Sequence, residues 1–311
     1  MRILLLTILI FLSFQIKAQK EEDLVLETKT GNINGSLLIP ENQKDLPVAL
    51  IIAGSGPTDR NGNNPYMKNN SLKMLAEGLA KEGIASLRYD KRGIATSKEA
   101  GIKEEDLRFE NYVQDAEEWI KRLKKDKRFK EVIVIGHSEG SLIGMIASKK
   151  AGADKYVSIA GAGMPAGDVV REQLKNQPAI VTDAALPILD SLEQGKTVKD
   201  VPPMLAGLFR MSVQPYIISW FKYDPRKEIA KLDIPVLIVQ GTTDIQVSLK
   251  DAENLKKANP KAELKVIEGM NHIFKEAEAD RMKNMQTYSQ PDLPLHKDLV
   301  KVISGFIKRK D

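Results

Sequence analysis

The stretch Val132-Ile133-Val134-Ile135-Gly136-His137-Ser138-Glu139-Gly140 runs a continuous apolar segment into a glycine-x-serine-x-glycine pentapeptide, followed by an amphipathic run over 141–149. A serine at the tip of so abrupt a strand-to-helix turn is forced into a strained backbone that lifts its Oγ over the sheet. The glycines two positions to either side must be small because backbone passes close there. Ser138 is therefore the candidate nucleophile. A serine hydroxyl attacks poorly unless a base takes its proton. The chain has three histidines. His272 stands in a loop just after an apolar run and is the candidate base. His137 leaves the turn in another direction and reads as packing or hydrogen bonding beneath it; His296, in a Pro-rich polar run, reads as surface.

The imidazole needs a carboxylate to orient it and offset the charge it gains. Asp244 follows the apolar run 236–240 within Gly241-Thr242-Thr243-Asp244, where strand C-termini gather at a crevice. Asp233 precedes that run, at the wrong end, and Asp251 lies inside the next helix. Two backbone donors should face the oxyanion. The Glu139 amide, next to the nucleophile, is one; the other comes from the loop Gly54-Ser55-Gly56-Pro57, with Ser55 the choice among its neighbours. In Leu87-Arg88-Tyr89-Asp90-Lys91-Arg92-Gly93, Asp90 and Arg92 are expected to pair and stiffen the loop. Asp59 and Arg60 stand in the oxyanion loop, where an internal pair is the plainer reading and a contact from Arg60 to an anionic substrate group the alternative.

Positioning these residues requires a particular set of elements. Strand patterns fall at 24–28, 33–39, 48–53, 84–88, 132–136, 156–160, 236–240 and 264–267. The first two alternate apolar and polar residues about Gly31-Asn32, the pattern of a hairpin with one face on the core. From Val48 onward the runs are continuously apolar, as strands covered on both faces must be. Helical periodicity over 71–81, 111–125, 247–257 and 297–308 puts leucines and their kin on one face. Alternating strand and helix predicts an α/β fold with a mostly parallel sheet. Residues 161–235 carry no strand pair, only helical stretches near 169–175, 179–194, 204–211 and 214–220. A structureless loop of that length is rare, so an inserted helical cap is expected. The expected organisation is 19–160 as the first part of the core, 161–231 as the cap and 232–311 as the second part.

Composition narrows the chemistry further. With 42% apolar and 29% charged residues the chain is globular. It has no cysteine, which excludes a disulfide framework, a thiol nucleophile and a thiolate metal site, and three histidines are few for a histidine-rich metal centre. The net charge of +5 is interspersed with acids, and the 5% aromatic residues do not interleave with a basic stripe. Nucleic acid is therefore not an expected partner. Residues 1–18 carry Arg2, an apolar run from Ile3 and a small residue at Ala18, the pattern of a signal peptide cleaved on export to a periplasm or beyond. Nothing else resembles a membrane span, and the oligomeric state is not encoded in any visible pattern.

Together, Ala53-Gly54-Ser55-Gly56-Pro57-Thr58-Asp59-Arg60-Asn61-Gly62-Asn63, Arg88-Tyr89-Asp90-Lys91-Arg92-Gly93, Gly136-His137-Ser138-Glu139-Gly140, Gly241-Thr242-Thr243-Asp244 and Met270-Asn271-His272 resemble the α/β-hydrolase family, especially exported bacterial esterases related to serine-aminopeptidase-like hydrolases. The resemblance implies an eight-stranded α/β-hydrolase sheet with a helical cap, and hydrolysis through an acyl-enzyme. It maps nucleophile, acid and base onto Ser138, Asp244 and His272 and the oxyanion donors onto Ser55 and Glu139. Ala53 stands where relatives often carry histidine, and Ala95 where a glycine often follows the Arg-Gly pair. The expected substrate is a small-molecule acyl ester, with no metal or organic cofactor required. The same machinery could serve an aminopeptidase or other amidase, a thioesterase, or survive in a silent binding scaffold. An aminopeptidase would need cap carboxylates, and Asp168, Glu172, Asp183, Asp190 and Glu193 show no obvious grouping in sequence.

Overall fold

The computed structural model describes residues 19–41, 45–175 and 177–309. The segment read as a signal peptide lies outside the described residues. Eight strands form one sheet in the order β1-β2-β4-β3-β5-β6-β7-β8: β1 (Gln19–Thr28), β2 (Gly31–Pro40), β3 (Leu46–Ile52), β4 (Ala85–Tyr89), β5 (Phe129–His137), β6 (Lys155–Ile159), β7 (Val236–Gly241) and β8 (Glu263–Ile267). The β1–β2 and β2–β4 pairings are antiparallel and the rest are parallel. This is the α/β-hydrolase fold.

Each central strand sends alternate side chains to opposite faces, as the two-residue period requires. Val48, Leu50 and Ile52 of β3 join Val132 and Val134 of β5 in one core, together with Val113, Ile120 and Leu123 of α2 (Phe109–Lys125) and Ile143 of α3 (Glu139–Ala151). Ala49 and Ile51 join Ile133 and Ile135 in the other. That second face is closed by Leu72, Leu75 and Leu79 of α1 (Ser71–Lys81) and by Leu299, Ile303 and Phe306 near the C-terminus. Burial on both faces is why these strands read as unbroken apolar runs rather than alternating ones. Helix α3 buries Glu139 through Ser148 because it packs on the sheet with α2 and the short helix Pro225–Ile229 against it.

Between β6 and β7 come α4 (Ala166–Leu174), α5 (Ala179–Glu193), α6 (Ala206–Phe209), α7 (Gln214–Phe221) and α8 (Pro225–Ile229). Helix α7 packs on α2: Phe109 stacks on Trp220 with ring centroids 6.2 Å apart, and the Phe109 amide donates to Ser219 Oγ at 2.8 Å. After β7 follow α9 (Leu249–Ala258), then β8, α10 (Arg281–Gln286) and α11 (Leu299–Lys308).

Three local expectations are corrected. The first hairpin turns at Lys29-Thr30, with Thr28 opposite Gly31, so Gly31 and Asn32 already belong to β2. His296 is buried rather than on the surface; its amide donates to the Phe274 carbonyl at 2.7 Å, tying the approach to α11 onto the His272 loop. Asp90 and Arg92 do not pair with each other. Each is taken by a different neighbour: Asp90 takes Arg60 at 2.8 Å, while Arg92 takes Asp115 of α2 through two nitrogens, Nε at 2.8 Å and Nη2 at 2.5 Å.

Candidate active site

Ser138 sits between β5 and α3 with φ 54° and ψ −121°, in backbone territory costly for a residue with a Cβ. The turn survives because both flanking glycines are indispensable to it. A Cβ on Gly136 would stand 2.3 Å from the Gly140 carbonyl oxygen, and one on Gly140 would stand 2.4 Å from that of Ile52. The Ser138 side chain makes no capping bond to the helix it precedes, and it is only half-buried. Its hydroxyl is thus not consumed by local structure.

Asp244 and His272 meet at the same rim. His272 Nδ1 lies 2.8 Å from Asp244 Oδ2. The carboxylate is otherwise saturated: Oδ1 accepts from the amides of Gln246 (2.8 Å) and Val247 (3.0 Å), and Oδ2 also accepts from Gln240 Nε2 (3.1 Å). Burial alone would push this carboxyl up, but His272 and the two amides hold it below its usual value. An imidazole gripped at Nδ1 by an ionised carboxylate keeps Nε2 as its proton-accepting nitrogen. Close approach of the loops after β7 and β8 makes the pair possible, since a Cβ on Gly241 would stand 1.9 Å from the Met270 carbonyl oxygen.

His137 and His272 rings lie 4.8 Å apart, which brings the Ser138 turn beside the imidazole. His137 Nε2 is 2.9 Å from the His272 carbonyl oxygen, and burial, with His272 beside it, pushes its pKa down to about 3. It therefore stays neutral and holds the His272 loop as a hydrogen-bond donor. Asn271 completes the loop: its Oδ1 accepts from the amides of Ile273 (3.2 Å) and Lys275 (3.0 Å), and its Nδ2 donates to Thr287 Oγ1 (2.8 Å). No hydrogen bond joins Ser138 Oγ to His272 among the described residues; such contacts often tighten only when a substrate docks.

The loop after β3 faces Ser138. A side-chain carbon built on Gly54 would stand 3.1 Å from Ser138 Cβ, while Ser55 is exposed and its carbonyl accepts from Thr58 Oγ1 at 2.9 Å. Glu139 is the first residue of α3, so its amide is one of the helix N–H groups without an intrahelical partner. Arg60 is spent on Asp90 and on Ser36 Oγ at 2.9 Å, and Asp59 Oδ1 accepts the amides of Asn61 (2.8 Å) and Asn63 (2.9 Å). Both are braces of the loop. Asp233 pairs with Lys149 at the surface, and Asp251 caps α9 and accepts the Gly163 amide at 2.9 Å.

Sequence reasoning missed Gln240, Lys91 and Tyr216. Gln240 was visible as a lone polar residue at the end of an apolar run. Lys91 hid inside the charged stretch Asp90-Lys91-Arg92, yet it is fully buried, with Nζ 2.6 Å from the Gly54 carbonyl oxygen and 3.4 Å from Glu139 Oε2. Tyr216 of α7 donates its hydroxyl to Glu139 Oε1.

Residues 68–195 match a family model described as serine aminopeptidase, S33. Esterase EstD of Thermotoga maritima is 29% identical over 254 residues, covering 78% of this chain and 58% of that protein. The chain thus spans little more than half the length of this curated relative. Among solved structures, Est1E from Butyrivibrio proteoclasticus aligns over 92% of this chain and 99% of its own with a TM-score of 0.60 and 16% identity. An esterase of Pyrococcus furiosus aligns over 93% and 90% with a TM-score of 0.58 and 17% identity. The fold shared with these structures is that of the α/β-hydrolases. Within it, the similarities run to esterases and to serine-aminopeptidase-like hydrolases. No helix among the described residues is long and apolar enough to cross a membrane.

Proposed function

We propose that the protein is a serine-dependent carboxylic-ester hydrolase working through a covalent acyl-enzyme. Ser138 Oγ attacks the ester carbonyl carbon as His272 Nε2 takes its proton, and the tetrahedral oxyanion is met by the amides of Ser55 and Glu139. The C–O bond breaks, and the alcohol leaves with the proton from His272. Water, deprotonated by the same imidazole, then attacks the acyl-enzyme; collapse returns the proton to Ser138 and releases the acid. Asp244 fixes the imidazole and offsets its transient charge.

The observation that carries this reading is the 2.8 Å contact between Asp244 and His272 at the rim where Ser138 is held at φ 54°. The esterase relative supports the same chemistry. An aminopeptidase is supported less well, because three of the five acids named above are already matched by cations: Arg171 takes Asp190 (2.7 Å) and Glu193 (2.6 Å), and Lys175 takes Glu172 (2.6 Å). A substrate ammonium binding at those three would have to displace the cations.

The test is a hydrolysis screen across p-nitrophenyl esters of graded chain length and aminoacyl-p-nitroanilides. Ester turnover is expected, with anilide turnover absent and Ser138→Ala reduced by about 10³-fold or more. Anilide turnover at equal or greater kcat/KM would favour the peptidase instead. Export is part of the proposal, with residues 1–18 removed, and the N-terminus of the mature protein measured by mass spectrometry tests it.

A further inference from the structure

We infer that Lys91 is a positioning residue that locks the Ser55 amide toward the oxyanion, a role that rests on the assignment of Ser55 and Glu139 as donors above. A peptide unit is planar and trans, so the Gly54 carbonyl and the Ser55 N–H belong to one rigid plane and point in opposite directions. Lys91 Nζ, 2.6 Å from the Gly54 oxygen, therefore fixes where the Ser55 N–H points. This unit begins at Gly54, and a glycine offers little steric resistance on its side of a peptide flip. Something else must hold it, and a charge-assisted hydrogen bond from a buried ammonium is among the stronger means available.

The ammonium is itself held on its other sides. Glu139 Oε2 lies 3.4 Å away, the Tyr112 ring centroid 5.0 Å away, and the hydroxyl of Tyr216 reaches the second oxygen of Glu139. Lys91 and Glu139 are both buried, so neither charge is idle surface decoration. One lysine thus connects both residues whose amides are assigned to the oxyanion, and α7 connects to them through Tyr216. The device acts on the transition state: it orients a donor that matters most when negative charge develops on the carbonyl oxygen.

The test compares wild type with Lys91→Met and with Lys91→Met/Glu139→Gln, the second removing both buried charges so that a folded protein can be assayed. Kinetics are measured on the best ester, with affinity for a boronic acid that forms a tetrahedral serine adduct. The inference predicts kcat reduced by roughly 10²-fold, about the loss of one oxyanion donor. KM should stay within about threefold, and boronate affinity should fall in parallel with kcat. Tyr216→Phe, which keeps both charges, should lower kcat roughly three- to tenfold, as expected for one hydrogen bond. Variants that melt like wild type and keep kcat and boronate affinity would overturn it, as would a loss confined to KM. Failure of wild type to react with a fluorophosphonate would instead remove the hydrolase reading, so the two failures are distinguishable.

Discussion

Asp244 has four hydrogen-bond donors on its two oxygens, and that saturation explains why a buried carboxylate remains ionised there. Because its folded pKa is depressed, it contributes stability above the ordinary carboxylate range, and that contribution fades as pH falls through the folded value. His137 works in the same direction over a higher window. Folded, it resists protonation down to about 3; unfolded, it takes a proton below about 6.5. The unfolded chain therefore binds more protons between those limits, and stability falls as pH drops. Urea midpoints measured at pH 7 and pH 5 should decline in wild type, and the decline should be smaller in His137→Gln; an equal decline would contradict the assigned burial effect. At this scale the contact of Asp244 with His272 and the strained turn at Ser138 were legible because each residue follows an apolar run. The partners were not. Lys91 reads as one more solvated charge, and only the tertiary approach of the loop after β4 to Gly54 gives it a role.

The strands and long helices were readable for the reason that they are buried. Continuous apolar runs at β3 through β7 reflect helices on both faces, and the α1 pattern predicts its bounds of Ser71–Lys81 to the residue. Shorter elements escaped: α8 has five residues and α10 six, fewer than two helical turns and too few to display a 3.6-residue period. Strand β1 begins at Gln19 rather than at residue 24, since its first half is an exposed edge carrying Lys20, Glu21 and Glu22. Ala95 gives a sharper lesson. The family resemblance favours glycine there, and the structure holds Ala95 at φ 45°, the left-handed region that glycine enters freely. Ala95→Gly should therefore raise stability by about 1 kcal/mol, relief of strain outweighing the added chain entropy. Thermal denaturation decides it, and a lower melting temperature would mean that the strain is already compensated.

Across the whole molecule, the helical segment between β6 and β7 is bound to the rim rather than merely tethered. Phe109 and Tyr112 of α2 meet Tyr216 and Trp220 of α7, and Tyr216 continues to Glu139 and Lys91. Sequence placed helices in that segment but could not say which face met the core, because its apolar residues, among them Met204 and Met211, are divided between buried and exposed positions that periodicity alone does not separate. The sheet order brings the ends of β3, β4, β5, β7 and β8 to one edge, so loops as distant in sequence as those carrying Ser55 and His272 gather at one rim. The most direct measurement of that convergence is the intact mass of the folded protein after exposure to a serine-reactive fluorophosphonate, followed by peptide mapping. The account predicts a single adduct on Ser138, formed far more slowly in His272→Ala and absent in Ser138→Ala. An unchanged mass in folded wild type, or an adduct on another residue, would contradict it.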